Sequence, residues 1–195
     1  AGTYVLTGSS TGQVTVDTDG AVRLVLADAT IRSTVGAAIQ IDNADKVVLE
    51  LTDGTDNTVS DAATRAAEQL DVTLYSPDDL LITGSGALAV AANFADGIVG
   101  KDDLSIESGT IDVTSVDDGI RGKDSLTVDA ATITIDAAGD AMKSSNDTDL
   151  GKGQLTISGG NITISTGDDA IKAEQKIWII GGTIDIVESV EGIEA

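Results

Sequence analysis

The sequence contains no cysteine and no histidine. Their absence excludes disulfide scaffolds, Cys/His zinc sites, and Ser-His-Asp or Cys-His catalysis. It also has one proline and four aromatic residues, Tyr4, Tyr75, Phe94 and Trp178. We therefore expect an aliphatic core, and we expect the chemistry to come from carboxylates, a few cations and bound metal.

Basic residues are also scarce, with 11 Lys and Arg against 33 Asp and Glu and a net charge of −22. Nucleic-acid binding needs rows of Lys and Arg that release counterions from phosphate, and an anionic membrane surface attracts the same charge. No segment approaches the roughly 18 apolar residues of a membrane span. We therefore expect no nucleic-acid partner and no membrane insertion.

Strand-forming residues dominate what remains. Thr (23), Ile (20) and Val (17) together supply 60 of the 195 residues, and 22 glycines separate them. β-Branched residues favour strands and glycine favours turns. Helix is therefore expected to be a minor element.

An internal repeat is visible in short strings that combine an acid with small and apolar residues. These strings are Asp96-Gly97-Ile98, Asp118-Gly119-Ile120, Asp140-Ala141-Met142, Asp169-Ala170-Ile171 and Glu191-Gly192-Ile193. Their successive spacings are 22, 22, 29 and 22 residues. Alternating segments such as Leu126-Thr127-Val128 indicate three short strands in each unit. The pattern predicts an all-β, right-handed parallel β-helix (a β-solenoid) with about 22 residues per turn.

The repeat extends over nearly the whole chain, so we predict a single domain over residues 1–195. An irregular or inserted segment is expected around residues 53–73, with a short helix or projecting loop over 62–70. A polar loop insertion around residues 146–152 accounts for the long 29-residue spacing.

Equivalent residues of a β-helix form columns, because each turn stacks about 4.8 Å above the last. One predicted column is acidic and consists of Asp96, Asp118, Asp140, Asp169 and Glu191, widened by Asp117 and Asp168. Carboxylates one turn apart repel by roughly 1 kcal/mol in water and roughly 3 to 4 kcal/mol at an effective dielectric constant near 20. Ca²⁺, which takes six to eight oxygen ligands, is the predicted cofactor. In the alternative interpretation, these acids only cap turns by accepting backbone N–H groups.

The loop insertion offers a second candidate metal site. Asn146, Asp147 and Asp149 place oxygen ligands at short spacing. The segment lacks the glycine and the distal glutamate of an EF-hand loop, so a solvated acidic loop is the alternative.

A second predicted column contains most of the cations. It consists of Tyr75, Val99, Arg121, Lys143 and Lys172, with Lys101 and Lys123 two positions further on. These cations either neutralise the acids as ion pairs or form, together with Ca²⁺, a groove for an acidic sugar chain. Tyr75 and an outward-pointing Trp178 would offer stacking faces. The predicted carbohydrate-binding residues are Tyr75, Arg121, Lys123, Lys143, Lys172 and Trp178.

Three strings carry a resemblance to a known family. Asp117-Asp118-Gly119-Ile120-Arg121-Gly122-Lys123-Asp124, the segment from Asp78 to Gly86, and Lys172-Ala173-Glu174 resemble bacterial secreted carbohydrate-binding β-helix domains, whose fold is similar to that of pectate lyases. The resemblance runs from about Tyr4 to the end of the chain. It implies an extracellular or cell-surface location, calcium on the aspartate-rich face, and binding of acidic or plant cell-wall polysaccharide.

Two alternatives stay open. The open ends of a β-helix invite strand pairing, so a structural or adhesive filament subunit that stacks head to tail with calcium is the second functional hypothesis. A calcium-dependent pectate lyase is the third, because Arg121, Lys143 or Lys172 beside the acids would supply a base. We expect a binding protein that is not an enzyme.

Overall fold

The computed structural model describes residues 1–66 and 70–195. These residues form 22 β-strands and no helix, so no helix that could cross a membrane is found among them. In chain order the strands are β1 (Gly2–Ser10), β2 (Val14–Asp17), β3 (Val22–Arg32), β4 (Ile39–Asn43), β5 (Val47–Leu51), β6 (Asp56–Ser60), β7 (Val72–Ser76), β8 (Leu80–Gly84), β9 (Ala87–Ala92), β10 (Asp96–Gly100), β11 (Asp103–Ile106), β12 (Thr110–Ser115), β13 (Ile120–Gly122), β14 (Ser125–Val128), β15 (Thr132–Ala137), β16 (Met142–Ser144), β17 (Gln154–Ile157), β18 (Asn161–Thr166), β19 (Asp169–Ala173), β20 (Lys176–Ile179), β21 (Thr183–Glu188) and β22 (Glu191–Glu194).

The strands stack in parallel ladders. An eight-stranded sheet runs in the order β2-β4-β7-β10-β13-β16-β19-β22, and the remaining strands form a fourteen-stranded sheet. The larger sheet consists of two ladders joined by the long strand β3, which pairs with β5 along its first half and with β6 near its end. Each turn therefore contributes three strands, and about eight turns of about 24 residues build the solenoid. The predicted all-β parallel β-helix is confirmed.

The turn length varies along the chain. Ile98 pairs with Ile120 and Ile120 with Met142, which is the predicted 22-residue period. Met142 then pairs with Ile171, because the chain between them leaves the ladder as a loop. In the early turns Ile39 pairs with Leu74 across a longer excursion after β6. Such loops lengthen the average turn without shifting the columns.

The expected helix or loop over residues 62–70 falls in this excursion. Residues 62–66 and 70 adopt no helix, and residues 67–69 lie outside the described part of the chain. A buried ion pair between Arg65 and Asp61 ties the excursion to the solenoid, and the Arg65 guanidinium lies 4.8 Å from the centre of the Phe94 ring.

Inward-facing side chains form the core, and alternation along each strand selects them. On β14, Leu126 and Val128 are fully buried, whereas Thr127 between them is half-exposed. Leu126 stacks on Leu104 of the turn before and on Leu155 of the turn after. Burial of such aliphatic columns removes apolar surface from water, which is the main favourable contribution to folding.

Replacing one member of a core column tests this packing. Leu126→Ala is expected to lower the free energy of unfolding by about 2–5 kcal/mol, because it leaves a cavity between two turns. Thr127→Ala, one residue away on the outer surface, is expected to change it by less than about 0.5 kcal/mol. Denaturant unfolding measures both values, and equal losses would contradict the assigned strand orientation.

Candidate functional site

Four acids of the predicted column lie at the start of successive strands of the eight-stranded sheet: two are the first residues of β10 and β19, and two lie two residues before β13 and β16. We call Asp96, Asp118, Asp140 and Asp169 the aspartate row; all four are buried. The Oδ1 atom of each of the first three members accepts a hydrogen bond from the backbone N–H of the next member. The N–Oδ1 distances are 3.2, 3.0 and 3.2 Å in chain order. The row is therefore a chain of hydrogen bonds that runs from turn to turn.

A small residue follows each member of the row, and close packing of the backbone requires it. A Cβ atom on Gly97 would lie 2.4 Å from the carbonyl oxygen of Gly119 in the next turn. The same position is Ala in the following two turns, Ala141 and Ala170, both fully buried. The recurrent acid–small string in the sequence thus marks a place where the turns approach closely.

The cations beside the row occupy its outer carboxylate oxygens. Arg121 pairs with Asp96. The Lys143 ammonium lies 2.6 Å from Oδ2 of Asp140, and the Lys172 ammonium lies 2.6 Å from Oδ2 of Asp169. The carboxylate of Asp118 lies farther from the cations, at 3.8 Å from the Lys143 ammonium and 3.9 Å from the Arg121 guanidinium. Backbone N–H groups and side-chain cations thus offset much of the repulsion for which the sequence suggested calcium.

The pKa values in the row reflect this environment. Burial raises the pKa of Asp96 to about 6, although Arg121 lowers it, and burial likewise raises the pKa of Asp118. Burial also lowers the pKa of Lys143, but its hydrogen bond to Asp140 and the nearby Asp118 together raise it above the usual value. Hydrogen bonds to Asp169 and Glu194 raise the pKa of Lys172.

The predicted cation column is confirmed as a column. Strand pairing places Tyr75, Val99, Arg121, Lys143 and Lys172 in register on successive turns of the eight-stranded sheet. Lys123 lies exposed in the turn after β13, where its backbone N–H donates to the Gly100 carbonyl at 2.8 Å.

A recess interrupts this column where Val99 stands between Tyr75 and Arg121. Val99 is buried, and the space above it measures about 190 Å³. We call this recess the Val99 notch; its lining is formed by Leu70, Asp71, Val72, Tyr75, Asp96, Val99, Lys101 and Arg121. The sequence placed Val99 in this column, but a period alone does not show that a short apolar side chain at an outward position leaves a recess.

Trp178 lies on a different face. It belongs to β20 of the fourteen-stranded sheet, where it stacks on Thr156, and it is 48% exposed. The Lys176 ammonium lies 5.0 Å from the centre of its ring. Outward orientation was predicted correctly, but the structure does not bring Trp178 to the groove of Tyr75 and the cations, because alternation does not specify which of the three ladders a residue occupies.

In the loop insertion, Asn146 is buried and organises the surrounding chain. Its Nδ2 atom donates to Asp124 at 2.6 Å and to Asp149 at 3.2 Å, and its Oδ1 atom accepts the backbone N–H of Asp149 at 2.9 Å. Lys152 pairs with Asp124, so a cation of the chain itself occupies this cluster. Asp147 and Asp149 are exposed. Neither Asp124 nor Lys152 was among the predicted metal ligands or carbohydrate-binding residues.

Carboxylates converge at the far end of the aspartate row. Oxygens of Asp140, Asp168 and Asp169 lie within 4.8 Å of one another, and so do those of Asp169, Glu191 and Glu194. Asp168 is exposed, as is Asp117 two turns earlier. Of the predicted metal ligands in the described chain, those around Asp168 come closest to a shared ion position.

Comparisons with known proteins agree with this fold. A protein of Acetivibrio thermocellus described as a carbohydrate-binding domain-containing protein is 39% identical over 120 residues, which is 57% of this chain and 42% of that protein. The chain thus matches less than half the length of this relative. A solved structure described as the gadolinium derivative of a polysaccharide lyase-like protein from C. thermocellum has a TM-score of 0.86 at 34% identity, and the match covers 98% of this chain and 84% of that one.

A family model described as carbohydrate-binding domain-containing protein matches residues 1–193. The match covers all three ladders, the aspartate row and the cation column. The chain belongs to this family of carbohydrate-binding domain-containing proteins.

Proposed function

We propose that the protein binds polysaccharide of the acidic or plant cell-wall type at the bacterial cell surface, through the outer face of the eight-stranded sheet. The main support is structural: one outer column of the sheet contains Tyr75, Arg121, Lys143 and Lys172. The chain also belongs to the carbohydrate-binding domain family. Consecutive turns lie about 4.8 Å apart, so the column spans a length suited to several sugar residues. The surface location rests on the resemblance to secreted β-helix domains.

We further propose that the protein binds without cleaving. A general base must lose its proton near the working pH, and the raised pKa values of Lys143 and Lys172 keep both amines protonated. Burial, and then the neighbouring cations Arg121 and Lys123, lower the pKa of Lys101. A lyase stays the lesser alternative, and Lys101 is the lysine on this face best suited to it.

Affinity electrophoresis through gels that contain polygalacturonate, cellulose derivative or neutral glucan tests the binding proposal. We expect retardation by polygalacturonate, and at least a tenfold weaker interaction for Arg121→Ala combined with Lys143→Ala, because two donors on adjacent turns are lost.

Arg23→Ala provides the matched control, since Arg23 is an exposed arginine of the fourteen-stranded sheet that pairs with Glu50. Circular dichroism checks that both variants fold. Equal retardation of all three proteins would contradict the proposed face, and release of unsaturated uronates would contradict the absence of catalysis.

Calcium is the proposed cofactor, and the cluster of Asp140, Asp168 and Asp169 is the position that the geometry favours. Its oxygens are hard donors of the kind that Ca²⁺ prefers. The related solved structure is a gadolinium derivative, and Gd³⁺ is likewise a hard cation. Because Lys172 already contacts Asp169, a bound ion would draw mainly on the exposed Asp168.

Thermal unfolding in excess CaCl₂ and in excess EDTA tests this site. A ligand at 100 times its dissociation constant stabilises the folded state by about 2.7 kcal/mol, which raises the melting midpoint by roughly 5–10 °C in a chain of this size. Asp168→Asn should remove most of the increase, whereas Asp112→Asn, at an exposed position on β12, should retain it. An EDTA-insensitive midpoint in the wild-type protein would refute the calcium proposal.

Self-association also stays a prediction. The last described turn carries exposed apolar side chains, among them Ile180 at 71% and Val190 at 73% exposure. A further β-layer would cover them, and a second copy of the chain is one such layer. The polysaccharide proposal does not depend on it.

A further inference from the structure

Between Gln40 and Glu194, the described outer column of the eight-stranded sheet loses its long side chains at the Val99 notch. The other members of the column are Thr15, Gln40, Tyr75, Arg121, Lys143, Lys172 and Glu194. Tyr75 and Arg121 stand two turns apart, about 10 Å, and form its two walls. The recess between these walls measures about 190 Å³, which is large enough for one sugar ring, and Val99 lies buried beneath it.

Hydrogen-bonding capacity is also left over at the notch. The Nε atom of Arg121 is buried and has no hydrogen-bond partner in the described part of the chain. Lys101, which lines the same recess, forms no ion pair with any described residue. Lys143 and Lys172, by contrast, hold carboxylate oxygens at 2.6 Å. The Arg121 Nε atom faces Asp118 at 3.9 Å, so the unpaired cation that the recess offers among the described residues is Lys101, whereas the lysines of the column itself are paired.

The charges around the notch favour an anionic group. Lys101 lies close enough to Arg121 and Lys123 for both cations to lower its pKa, in addition to the effect of burial. A carboxylate placed among these cations would relieve their repulsion. Two acids of the lining oppose it: Asp96, whose carboxylate is already engaged by Arg121 and by the backbone N–H of Asp118, and the exposed Asp71.

We propose that the Val99 notch is the subsite that receives a single sugar-acid residue of the bound polysaccharide, with its carboxylate on Lys101 and Arg121 and its ring beside Tyr75. This inference rests on the proposed polysaccharide binding and assigns its selectivity to one turn of the solenoid. Lys143 and Lys172 then serve mainly to neutralise the aspartate row.

Val99→Lys separates this proposal from attraction by the whole column. The variant should fold, because Lys143 and Lys172 occupy the same column on later turns. It fills the recess but adds a positive charge to the face. If the notch is the subsite, calorimetric titration with oligogalacturonate should show at least a tenfold loss of affinity. If column charge alone attracts the ligand, affinity should stay the same or rise, and the proposal is overturned.

Lys101→Gln supplies a second test that does not depend on filling the recess. Lys101 is exposed, so the substitution should leave the melting midpoint unchanged. We expect wild-type protein to bind oligogalacturonate at least tenfold more tightly than its methyl-esterified form, and the variant to lose that preference. An undiminished preference in Lys101→Gln overturns the proposal and leaves polysaccharide binding intact. Failure of the wild-type protein to bind either oligosaccharide overturns both.

Discussion

In-register parallel stacking is the constraint on which the rest of this structure depends. Each turn donates and accepts backbone hydrogen bonds with the turns on either side, so a residue type that recurs in the sequence recurs directly above itself in space. For aliphatic residues this is favourable, because Leu104, Leu126 and Leu155 fill one continuous column. For acids it is costly, because the same register places carboxylates one turn apart.

Hydrogen bonds from backbone N–H groups offset this repulsion in the aspartate row. Buried N–H groups need acceptors, and buried carboxylates need donors. The N–H of Asp118 donating to Asp96, and that of Asp140 donating to Asp118, satisfy both needs with one contact per turn. The cations then complete the outer side of the row. A repeated acid in such a solenoid can therefore serve the fold, and its repetition is not in itself evidence of a ligand.

Binding capacity instead appears where the repeat is broken. The regular turns around Lys143 and Lys172 pair their cations with acids of the same turn. At Val99 the long side chains are interrupted, and the neighbouring Lys101 has no ion pair among the described residues. Departures from a consistent local pattern are the expected places for function. Asp168 is a second departure, because it is exposed beside the row and no backbone N–H of the described residues donates to its carboxylate.

The sequence predicted the three strands per turn, the columns and their order, because apolar alternation and a fixed period determine them together. It did not predict that Asp96 is buried, since an acid beside glycine fits an exposed turn equally well. Nor did it predict the separate face of Trp178 or the ion pair of Lys152 with Asp124. The face of Trp178 depends on which ladder its strand joins, and the ion pair depends on how the loop folds back. The repeat period in the sequence specifies neither feature.

The central claim is that polysaccharide binds the eight-stranded sheet at Val99. Backbone amide chemical-shift mapping by NMR during titration with oligogalacturonate tests it most directly. We predict that the largest chemical-shift changes occur at Tyr75, Val99, Lys101 and Arg121, with little change around Trp178. Shifts centred on Trp178 and Thr156, with an unperturbed Val99 region, would contradict it.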